Sequence, residues 1–179
     1  MKKYLLGGWA VLKNYIFAMI FFYIFFVGFY SKASLFSIAI FVIMIFLIYH
    51  ELAHFAGVDK RRYGKISILD GVWYGLIAIA PIVLIQVIIS FLNLKFEVVN
   101  FEILKWNLIK GLAAPMLFIA KAGGYKLAGY AVAWATMVLA SFLGYYAGAK
   151  GFDLSAYVRK LFGLQPRQKT ANNKKKNKR

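Results

Sequence analysis

The sequence has 179 residues, 62% of them hydrophobic and 16% charged, with a mean hydropathy of +0.66. A water-soluble domain of this length carries more charge and shorter apolar runs, so water is excluded as the main solvent. The formal charge of +17 does not indicate nucleic acid, because it is clustered beside apolar runs with no recognition motif, and the absence of cysteine excludes disulfides and thiolate metal sites.

Residues 1–14 are short, basic and aromatic, and are expected to lie near the lipid headgroups on the cytoplasmic side. The first span is expected at 15–30, a run of sixteen residues without a charge. Its aromatic bulk favours an uncleaved anchor over a signal peptide. The second span is expected at 35–56, closed by Gly57, with Lys60, Arg61, Arg62 and Lys65 following it on the inner side. Asp70-Gly71 marks the turn into a third span at 72–94, where Pro81 should bend the helix and Gln86 needs a partner inside the bundle.

Residues 106–120 are apolar but interrupted by Lys110, Gly111 and Pro115, and read as an interfacial or re-entrant helix. The fourth span is expected at 125–149, where Thr136, Ala140, Gly144 and Gly148 put small residues on one face for close helix packing. A short amphipathic helix is expected over 151–164. The remaining residues, 165–179, carry almost no apolar content and read as a disordered basic tail. The fold class is therefore an all-α membrane helix bundle of about four spans, one integral domain over 1–164, with both ends in the cytoplasm of a cell (inner) membrane.

The chemistry concentrates between Tyr49 and Gly71, which holds both histidines and three of the six acids. His50-Glu51-Leu52-Ala53-His54 reads as H-E-x-x-H. On a helix the two imidazoles share a face and can bind one zinc ion, while Glu51 takes a proton from a metal-bound water. Asp70 is the best third ligand, and Asp59 lies uncomfortably close along the chain. In the non-metal reading the histidines are interfacial polar residues, and Glu51 pairs with Lys60, Arg61 or Arg62.

HELAHF, KRRYG and then Leu69-Asp70-Gly71 resemble the site-2 family of intramembrane zinc proteases over about twenty residues. That resemblance implies His50, His54 and Asp70 as zinc ligands and Glu51 as general base. In the family, however, the aspartate follows a substantial insertion, whereas here fifteen residues separate it from His54. A broader resemblance runs from about Tyr49 to Lys160: YGKI, GLIAIAP and GYYAGAKGFDLSAYVRK are similar to small four-pass membrane proteins of Firmicutes without assigned activity.

The leading expectation is a multi-pass membrane protein with no cofactor that acts through protein partners or lipid contact. Its lipid partners would include anionic headgroups met by the basic loop and tail, and no nucleic acid. The alternative is a zinc-dependent intramembrane metalloprotease. A small transporter or accessory subunit is a third reading.

Overall fold

A computed structural model describes residues 2–26, 28, 32–64, 66–92 and 100–152. Six α-helices form: α1 Lys2–Phe26, α2 Ala33–Tyr63, α3 Asp70–Phe91, α4 Phe101–Leu112, α5 Leu117–Ala122 and α6 Leu127–Lys150. A 3-10 turn, Ala114–Met116, joins α4 to α5, and no strand occurs among the described residues. Four helices, α1, α2, α3 and α6, are long and apolar enough to cross a bilayer, so the all-α membrane bundle expected from the sequence is the fold found. Their main contacts run α1 to α2, α2 to α6, α6 to α3 and α3 to α1, a closed ring of four.

Helix ends differ from the expected ones where packing outweighs local signals. α1 begins at Lys2 rather than near residue 15, because Ala10 and Val11 are buried and Gly7 and Gly8 lie against Tyr74 and Ile77 of α3. α2 runs through Gly57 to Tyr63. Its buried residues recur at Ser37, Ile40, Met44, Ile48, Leu52, Ala56 and Asp59, so the packed stripe carries the helix past the glycine. Gly64 ends it instead, with a left-handed φ of 71° and its N–H on the Lys60 carbonyl. Asp70 belongs to the first turn of α3, where a carboxylate suits the helix dipole. The expected amphipathic helix and basic tail lie, from residue 153 on, outside the described residues.

α2 and α6 approach closely because Gly144 and Gly148 have no side chains. A Cβ at Gly144 would stand 2.7 Å from the Tyr49 carbonyl oxygen, and one at Gly148 would collide with the backbone of Ala53. The small-residue stripe of α6 is therefore consumed inside the bundle, at the level of the HELAH segment.

The ambiguous stretch expected at 106–120 is the bent pair α4–α5, broken by 76°. A broken helix inside an apolar bundle strands backbone polar groups, and three other helices satisfy them here. The Tyr15 hydroxyl donates to the Leu112 carbonyl. Ser37 donates to the Pro115 carbonyl and accepts from the Phe118 N–H, both at 3.3 Å. Gln86 donates to the Ile109 carbonyl at 3.3 Å and accepts from the Trp134 indole at 3.0 Å, so it finds the partners the sequence demanded.

Candidate functional site

The buried stripe of α2 decides which polar residues face inward. His50 and His54 lie off that stripe and are exposed on one outward face, with the His50 ring stacked 6.3 Å from that of Phe46. Glu51 is half-buried beside them and pairs with exposed Lys13 of α1 at 3.4 Å. Lys60, Arg61 and Arg62, the cations expected for Glu51, stand at least nine residues further along a continuous helix, about 14 Å away. Lys60 instead donates to the Ala149 carbonyl at the end of α6 at 3.3 Å, and Arg61 to the Gly57 carbonyl.

Asp59 falls on the stripe and points into the bundle. It meets Asp70, the first residue of α3, where the ends of four helices converge. Both carboxylates are buried, with side chains 8% and 5% exposed. Lys3 of α1 lies between them, its ammonium 2.6 Å from Asp70 and 3.7 Å from Asp59. Three tyrosine hydroxyls complete the cluster. Tyr4 donates to Asp70 at 3.1 Å, Tyr74 to Asp59 at 2.9 Å, and Tyr145 to Asp59 at 2.9 Å while lying 3.4 Å from Asp70. Gly7 makes room for this arrangement, because a Cβ there would sit 2.5 Å from the Tyr74 ring.

The physical logic is compensation. Two carboxyl groups out of water lose hydration, and one lysine with three hydroxyl donors replaces it. The rings of Tyr4 and Tyr63 also face the Lys3 ammonium, with centroids 5.7 and 5.4 Å away.

The residues proposed for zinc are thus divided. His50 and His54 share an outward face, Glu51 lies next to them with Lys13, and Asp70 is held in the interior by Lys3, Tyr4 and Tyr145. A catalytic zinc site uses three protein ligands, and as folded this face supplies two. Among the described residues no group of three or more His, Asp or Glu is placed to hold one metal ion.

The sequence reading set Asp59 aside as a third zinc ligand and gave no site role to Lys3, Tyr4, Tyr74 or Tyr145. For Asp59 the signal was present: it continues the three- and four-residue spacing of Ile48, Leu52 and Ala56, from which His50 and His54 stand apart. Comparison of the chain with protein-family models, with curated proteins and with solved structures finds no match.

Proposed function

We propose that the chain is a multi-pass protein of the cell (inner) membrane, both ends cytoplasmic, that acts by engaging a protein partner within the bilayer. The observation that carries this reading is the outward polar group of Lys13, His50, Glu51 and His54. Glu51 lies eight residues back from Asp59 along α2, about 12 Å inside the level at which α3 begins its apolar span. Ionisable groups facing lipid at that depth are costly, and a partner bearing its own polar side chains removes the cost. The basic residues Lys60, Arg61 and Arg62 at the same end as Lys3 support the cytoplasmic assignment of that end.

The alternative remains the zinc metalloprotease, favoured by the shared face of His50 and His54. It requires Asp70 to leave Lys3, or another ligand to approach. Two measurements separate these readings. A photo-crosslinking residue at position 50 or 54 should give a discrete protein adduct in membranes, whereas one at Leu84, 61% exposed on α3 across the ring from α2, should give only lipid adducts. Lipid adducts at all three positions would sink the partner reading. About one zinc per purified chain, lost in His54→Ala, would put the protease first.

A further inference from the structure

The far end of the bundle from Lys3 holds a cavity that these readings leave unused. It opens between α3, α4 and α6 with a volume of about 650 Å³, within the size range of small-molecule sites. Its wall is apolar and aromatic, including Trp106, Ile109 and Trp134. Tyr130 also lines it, and the Tyr130 hydroxyl is the one buried side-chain polar atom without a hydrogen-bond partner among the described residues. A buried hydroxyl in apolar surroundings is costly until an acceptor reaches it.

Beside Tyr130 the turn from α5 to α6 adds two further observations. Tyr125 is the only described non-glycine residue with a left-handed backbone, φ 56°, and such conformations persist where a ligand clamp is held in place by its surroundings. Its side chain borders both the first cavity and a second of about 660 Å³ lined by Phe22, Phe26 and Lys110. The Lys110 ammonium stands 4.7 Å from the Tyr125 ring centroid, and exposed Lys126 borders the first cavity. Two cavities therefore flank one tyrosine, each with a lysine; the first is apolar and the second is aromatic on one side and polar at Asn107 and Lys110.

We propose that these cavities hold the two acyl chains of one anionic phospholipid. Its phosphate sits at Tyr125 with Lys110 and Lys126 as counter-ions, and an ester oxygen supplies the acceptor that Tyr130 lacks. Free phosphate would answer the lysines and leave the apolar walls empty. A zwitterionic lipid would fill the walls but bring its own cation to the lysines.

The four tryptophans make this measurable. In a Trp9→Phe, Trp73→Phe background the fluorescence reports only Trp106 and Trp134. The protein is reconstituted in phosphatidylcholine vesicles containing either brominated phosphatidylglycerol or brominated phosphatidylcholine. Quenching by the anionic lipid should saturate at low mole fraction and exceed quenching by the zwitterionic lipid at equal fraction. Lys110→Gln and Lys126→Gln, both at exposed or half-exposed positions, should each weaken the anionic preference roughly fivefold, and Lys110→Arg should retain it. Tyr130→Phe should weaken binding roughly fivefold without lowering the melting temperature of lipid-free protein. Equal quenching by the two lipids, or an anionic preference that survives both glutamine substitutions, overturns the proposal. So does displacement of the quencher by millimolar inorganic phosphate, which would identify a phosphate site instead.

Discussion

Lys3 is the hinge of the residue-scale chemistry. Among the described residues it is the one cation in direct contact with the two buried carboxylates, and removing it leaves Asp59 and Asp70 with only the hydroxyl donors of that set. Breaking a buried ion pair from one side costs about 3–5 kcal/mol; with the Lys3 side chain 22% exposed, the expected loss for Lys3→Met is smaller, about 2–3 kcal/mol. Adding Asp70→Asn to Lys3→Met should recover part of that loss, because the carboxylate–carboxylate repulsion disappears while Asp59 keeps the Tyr74 and Tyr145 hydroxyls. Unfolding in detergent, followed by intrinsic fluorescence, measures both; a double variant as unstable as the single one would show that the cluster acts through shape alone. Asp59 illustrates what a motif conceals. H-E-x-x-H drew attention to His50 and His54, yet the three- and four-residue rhythm of α2 places Asp59 inside and the histidines outside. Helical phase was the better guide.

At the scale of elements, the contact of α2 with α6 rests on backbone meeting backbone. Gly148→Ala would press a methyl group into Ala53 and should destabilise the bundle by about 1–3 kcal/mol. Gly57, on α2 itself, has nothing within 4 Å, so Gly57→Ala should stabilise by about 0.5–1 kcal/mol through helix propensity alone. Thermal melts of the two variants should therefore move in opposite directions, and a shared direction would contradict the packing described. The spans and the small-residue stripe were legible in the sequence because hydropathy and spacing are local. Helix ends were not: Gly57 carries a stop signal that the packed stripe of α2 overrides. The break at Pro115 was visible, as was the need of Gln86 for a partner. The identities of Tyr15 and Ser37 as the groups that satisfy the break were not, since they come from sequence positions about 80 to 100 residues away.

For the whole molecule, the ring pairs α1 with α3 and α2 with α6 in parallel, so the start of α1, the end of α2, the start of α3 and the end of α6 come together, and the turn before α6 lies at the opposite end. Exposed Leu69 and Leu127 mark these two ends. In a sequence without cysteine, Leu69→Cys and Leu127→Cys should react with an impermeant thiol reagent from opposite sides, Leu69→Cys from the cytoplasmic side in the orientation proposed above. Reaction of both from one side would refute a single crossing, that of α3, between the two positions. The cluster at the first of these ends draws on the first and the last of the four described apolar helices: Lys3 and Tyr4 lie on α1, made early, and Tyr145 lies on α6, made late. During biosynthesis Asp59 and Asp70 can therefore meet Lys3 while the Tyr145 hydroxyl is still missing. A chain that fails to insert α6 carries an under-solvated acidic pair at the membrane surface. The same contacts that hold the finished bundle thus mark an unfinished one, and they give membrane quality control a local chemical difference by which to tell the two apart.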